Sequence, residues 1–228
     1  MSYYPQYPHT PQSSTYQDAP NPQNRLEVIG EGSVAAAPDQ ASITLGAITE
    51  DVSLQTAQTQ NAAMVTNIIS SLLNLNIPKQ NIQTVTYRID IEYNYADGIQ
   101  TLRGYKVTHL LQVTVDRTEQ TGTIVDTAVK NGANTVSSIQ FSVKHPNAYY
   151  NQALTSAIHN AQQKALTMAN ALGVTLVRTP VQVQELSRQQ EPTPFQPVMF
   201  SAVSAPATPI QPGELSISAA VKVQFTYY

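Results

Sequence analysis

From Thr84 to Tyr95 apolar and polar side chains alternate without a break. Val85, Tyr87, Ile89, Ile91, Tyr93 and Tyr95 fall on one side, and Thr84, Thr86, Arg88, Asp90, Glu92 and Asn94 on the other. A period of two belongs to an extended strand, where successive side chains point to opposite faces. One apolar and one polar face predicts an antiparallel sheet with a wet side. The C-terminus repeats the device, with Leu215, Ile217, Ala219, Val221, Val223, Phe225 and Tyr227 in one row. Tyr105, Val107, Leu111, Val113 and Val115 form a third row, with His109 in line. Asp97-Gly98, between the first and third rows, is a two-residue hairpin signal. Shorter strands are expected at 26–36, 40–50, 135–144 and 174–187.

Three segments switch to helical spacing. In 148–172, Tyr150, Leu154, Ala157, Ala161, Ala165, Met168 and Leu172 recur every three or four residues, and Gly173 follows as a left-handed cap. A second helix spans about 53–75, with Ala62, Val65, Ile69 and Leu72 on its stripe. A third covers about 118–131, with Asp116 and Glu119 placed for a capping box and Gly132 at its end. The expected class is α+β: a mainly antiparallel sheet with three helices packed on one face.

Prolines mark what lies outside that core. Five of the fifteen fall in residues 1–24 and six in 188–213. Residues 1–24, rich in proline, glutamine and tyrosine, are expected to form a disordered tail. Residues 188–213 are expected to form a long loop inserted into a single domain over 25–228, and loops of that length are commonly functional. The N-terminus lacks a basic start followed by an apolar run, so no secretory signal is read there. No stretch approaches the roughly 20 apolar residues of a spanning helix. The default expectation is therefore cytoplasmic, with the cell envelope or surface as the alternative.

Composition removes several functions. The chain has no cysteine, hence no disulfide framework and no thiolate site. A net charge of −3 lacks the cationic field of a nucleic-acid binder. Charged residues make up only 12%, while glutamine and threonine number 24 each, so the surface repels its own copies weakly.

Catalytic signatures are missing in the same way. His9, His109, His145 and His159 have no metal-ligand spacing, and there is no HExxH, P-loop or GxSxG. His109 reads as a hydrogen-bonded core imidazole and His159 as a solvated one. Gly30-Glu31-Gly32 lacks the third glycine of a nucleotide fingerprint. Asp90 and Glu92, beside Arg88, read as ionised surface groups. No catalytic, cofactor or metal site is expected, and an uncharacterised hydrolase stands as the enzymatic alternative.

Several stretches taken together resemble the SIMPL-domain family, which includes periplasmic immunogenic and stress-linked envelope proteins. They are VIGEGSVAAAPDQASITLGAITE (Val28 to Glu50), LNIPKQNIQTVTYRIDIEYNY (Leu75 to Tyr95), GYKVTHLLQVTVDR (Gly104 to Arg117), Asn131-Gly132-Ala133, Ile139-Gln140-Phe141, the alanine-rich helix and the last strand. The positions that carry the likeness are Gly30, Gly32, Pro38, Asp39, Thr84, Gly104, Gly132, Phe141 and Gly173, all read as architectural. The glycines would permit a bulge or a close backbone approach, and Pro38-Asp39 would preset a turn. The resemblance implies a non-enzymatic envelope or stress-associated domain, linked to oxidative or DNA-damage stress and prone to self-assembly.

Two functional readings follow. One is a homo-oligomeric structural or interaction protein, with residues 1–24 and 188–213 as arms for protein partners. The other is a small-ligand module with Tyr87, Tyr93, Tyr95 and Tyr105 lining a site under the long loop.

Overall fold

The computed structural model describes residues 24–186, 193–194 and 208–228. All of the expected tail over 1–24 but Asn24, and most of the loop over 188–213, therefore lie outside the described residues. The strands are β1 (Arg25–Ala36), β2 (Gln40–Asp51), β3 (Ile82–Ala96), β4 (Ile99–Val115), β5 (Thr135–Ser142), β6 (Gln182–Glu185), β7 (Thr193–Pro194) and β8 (Leu215–Thr226). The helices are α1 (Leu54–Asn74), α2 (Thr121–Lys130) and α3 (Pro146–Leu172). The chain is α+β in the order its periodicities predict. The single sheet is replaced by two.

The first sheet runs β1-β8-β6, with β7 also on β8; the second runs β3-β4-β2-β5, and every pairing is antiparallel. β1 and β2 are consecutive, but they lie in different sheets, and so do their covering helices. α3 packs on β1 and β8, while α1 and α2 pack on the second sheet. A sequence shows that each strand has an apolar row; it does not show which rows share a layer.

In the first sheet, Leu215, Ile217, Ala219, Val221, Val223 and Phe225 of β8 are buried, as their alternation predicts. Against them α3 presents Ala153, Ala157, Ala161, Ala165 and Ala169, all essentially inaccessible. That stripe is rotated from the expected one, and Met168 and Leu172 are exposed. The reason is backbone proximity. A Cβ on Gly30 would lie 2.1 Å from the Ala157 carbonyl oxygen, and one on Gly32 would lie 2.3 Å from that of Ala153. Only the alanine side of α3 fits so near a strand. β1 pairs with β8 in unbroken register, so these glycines serve the helix contact and form no bulge.

The second sheet buries Ala41, Ile43, Leu45 and Ala47 of β2 and Leu111 and Val113 of β4 beneath α1 and α2. Ser53 caps α1, its hydroxyl accepting the Thr56 N–H. The buried face of α1 is Ala57, Asn61, Val65, Ile68 and Leu72, whereas Ala62 is exposed. Asn61 bridges two strands, donating to the carbonyls of Ala47 at 2.9 Å and Val107 at 3.2 Å.

α2 begins at Thr121 without a side-chain cap. The expected box does not form because the helix starts too late for it: Gln120 holds the N-cap position, and Asp116, well ahead of it, accepts Lys144 Nζ at 2.8 Å and the Gln40 amide at 3.4 Å. At the far end Gly132 adopts φ 110° against Met64. Gly173 closes α3 at φ 71°.

Asp39 sits where both passages between the sheets meet. Its N–H donates to the Ser142 carbonyl at 3.1 Å, and its carboxylate accepts the Lys144 N–H at 2.8 Å. The β1–β2 link, with buried Pro38, is thereby tied to the β5–α3 link.

Candidate functional site

β3 and β4 form a long hairpin closed by Asp97 at φ 51° and Gly98 at φ 77°, the doubly positive turn that a two-residue hairpin requires. Directly opposed residues share a face. Tyr87 therefore sits with His109, Ile89 with Val107, Ile91 with Tyr105, and Tyr93 with Leu102. The register across β2 aligns His109 with Ala47 and Val107 with Thr49, so this is the face that α1 covers.

The cover stops partway. Near its first turns α1 reaches the hairpin through Gln58, whose amide donates to the Tyr87 hydroxyl at 3.0 Å. Past that point the same face continues uncovered among the described residues. Tyr87 is 51% exposed, Ile91 52%, Leu102 54% and Tyr95 74%, with Ile89 and Tyr93 also exposed. The apolar row that the alternation assigns to a dry face thus forms an open shelf. Its cause is length: β3 has 15 residues and β4 has 17, and they outrun the helix lying on them. Apolar faces of this extent are uncommon on a monomer surface and mark contact sites.

Two bulges shape the arm. Register slips at Thr84/Thr86 and again at Glu92/Tyr93. At the second slip Gly104 lies so near β2 that a Cβ would come 2.7 Å from the Asp51 carbonyl oxygen. At the first, the Thr84 hydroxyl lies 3.0 Å from His109 Nε2, and the Tyr87 ring meets the imidazole edge-on at 5.2 Å. His109 is half-buried, and desolvation holds its pKa below the ordinary histidine value.

The polar face of the hairpin carries Arg88, bonded to Asp90 at 2.7 Å, with Arg103 reaching Glu50 at 3.2 Å. A shallow hollow beside the second bulge is lined by Glu50, Glu92, Arg103 and Tyr105 among others. Among the described residues no three histidines or carboxylates stand close enough to hold a metal ion.

The positions marked by the resemblance do not converge. Gly30 and Gly32 lie under α3, Asp39 at the passage between sheets, Phe141 half-buried against the core of the second sheet, and Gly132 and Gly173 at helix ends. Thr84 and Gly104 alone belong to the hairpin, at its two bulges. Tyr87, Tyr93 and Tyr95 share the open shelf, with Tyr105 half-buried at its base. His159 is exposed. Asn61 escaped sequence reasoning, although an asparagine interrupting the stripe Ala57, Val65, Ile68, Leu72 is a legible sign of a polar group held for the backbone.

The family model SIMPL, described as a protein of unknown function (DUF541), matches residues 26–225. The 26 kDa periplasmic immunogenic protein of Brucella melitensis is 32% identical over 210 residues, covering 88% of this chain and 84% of that protein. The uncharacterized protein YggE of Escherichia coli (strain K12) is 32% identical over 141 residues, 62% of this chain and 57% of its own. The cytoplasmic default is corrected by these relatives, since those matching most of the chain bear a periplasmic name. Compartment is addressed by leader segments that leave no trace in a folded core. No helix among the described residues is long and apolar enough to cross a membrane.

Proposed function

The chain belongs to the SIMPL family, and from that premise we propose that it is a non-enzymatic structural protein of the periplasm that works by associating with other chains, its own copies first. One observation carries the reading: the apolar shelf of Tyr87, Ile89, Ile91, Tyr93, Tyr95 and Leu102, which no other described residues cover where the hairpin outruns α1. Tyrosine and isoleucine on a firm strand surface bury large area with little loss of side-chain freedom, which suits them to protein contacts. The low charge works in the same direction. The periplasmic placement is supported by the names of the Brucella relatives. An envelope-stress role rests on the family resemblance.

The test is solution mass together with cell fractionation. The full chain is expected to sediment above a single-chain mass at micromolar concentration and to be released with the periplasmic fraction. A single-chain mass at every concentration defeats the associative part. Retention with cytoplasmic markers defeats the placement. A deletion strain as tolerant of oxidants and envelope stress as its parent defeats the stress role.

A further inference from the structure

The two outermost long strands are finished differently. On β1, the side chains of α3 occupy backbone groups: Asn160 accepts the Glu31 N–H at 3.1 Å, and Lys164 donates to the Ile29 carbonyl at 2.9 Å. On the outer edge of β3, no such bond is made among the described residues. An open edge of this length is a template for another strand. The bulges leave Thr86–Glu92 in unbroken register with Gly104–Leu110, a straight run centred on Ile89.

That run carries its own complement. Two copies meeting edge to edge about a two-fold axis must be antiparallel, with some residue of the run opposite itself. Centred on Arg88, the pairing opposes two arginines. Centred on Asp90, it opposes two aspartates, and centred on Ile91 it sets Asp90 against Glu92. Centred on Tyr87, it leaves Arg88 facing a threonine. Only the Ile89 centre sets each Arg88 against an Asp90 with no like charges opposed. It also places Tyr87 opposite Ile91 on the apolar face, the aromatic and branched pairing favoured across strands. Charges on an edge normally keep other strands away; here they match their own reversal.

We propose that two copies of this chain join through the outer edges of β3, antiparallel about a two-fold axis at Ile89, so that Arg88 of each faces Asp90 of the other. This rests on the self-associating reading above and specifies its surface. The joined sheet runs through eight strands, and the two shelves merge into one apolar face.

The chain has no cysteine, so one introduced thiol reports position without interference. In the full chain, I89C is expected to form a covalent dimer under mild oxidation. T86C and E92C are each expected to remain single alone and to cross-link with one another when mixed. D90R should weaken association at least ten-fold, and R88D/D90R should restore it to within three-fold of the parent, a recovery that a merely unfolded variant would not make. An I89C protein that fails to cross-link while the parent sediments as an assembly overturns the pairing and leaves self-association standing. So does cross-linking of equal yield at all three positions. A parent that stays single at every concentration overturns both.

Discussion

Asn134 stands beside Ile48 in the place of a strand residue. Its carboxamide oxygen accepts the Ile48 N–H at 2.8 Å, and its amide donates to the Ile48 carbonyl at 2.7 Å. β5 pairs with β2 only as far as Gly46, so this side chain carries the ladder onward. Asn134→Ala removes both bonds and is expected to lower the unfolding free energy by about 1–3 kcal/mol. Urea denaturation followed by circular dichroism measures it; an unchanged midpoint would mean that water replaces the amide at no cost.

Gly30→Ala and Gly32→Ala should each destabilise by about 1–3 kcal/mol or more, because the new methyl overlaps a helix carbonyl and α3 must lift away from β1. The obstacle at Gly30 is the Ala157 backbone oxygen, with Ala161 atoms behind it. Ala157→Gly in the Gly30→Ala background is therefore expected not to rescue stability. Thermal melts of the single and double variants decide it, and a full rescue would place the clash on the side chain.

Stability should fall on acidification through the range where His109 titrates. Its folded pKa is lowered by desolvation, so the unfolded chain binds more protons there and stability rises with pH. The contribution is complete above about pH 6.5 and is lost as pH falls through the folded value. The carboxyls of Glu27, Asp116 and Asp126 are also held low by their hydrogen bonds, but they lose their contribution only below about pH 4. His109→Gln should flatten the slope of stability between pH 7 and 5, as read by denaturation at several pH values. An unaltered slope would assign it to another group.

Tyr95→Ser is expected to leave stability within about 0.5 kcal/mol of the parent, as for a surface change. Binding of an apolar dye and the tendency to associate should both fall. A large loss of stability would show that the shelf is core in the protein as it exists in solution.

The β3 row shows where a sequence stops being informative. Its alternation from Tyr87 to Tyr95 marks strand and faces, and the Asp97-Gly98 turn marks the hairpin, because both are local. The bulge at Thr84/Thr86, which puts Thr84 on the face of His109 and not on the polar one, left no such mark. Whether the apolar face is covered depends on how far α1 reaches along it, a relation between elements that no local pattern records. The division into two sheets was hidden for the same reason, since β1 and β2 each read as half-buried strands wherever they lie. Asp116 shows a third limit: its spacing to Glu119 suits a capping box, but the helix begins only at Thr121, and the carboxylate is taken by Lys144 from a distant segment. Much of the candidate site was readable as residues, including the tyrosines and the Arg88–Asp90 pair, and none of it as an opening.

The alanines of α3 repeat every four residues, so a slip of the helix by one turn would present the same small surface to β1. What distinguishes one rung of that ladder from the next is the rim, where Asn160 answers an N–H and Lys164 answers a carbonyl. A one-turn slip that carries Lys164 to the place of Asn160 would set the ammonium against the Glu31 N–H, donor against donor. The seam lets the helix in; two polar side chains tell it where to stop.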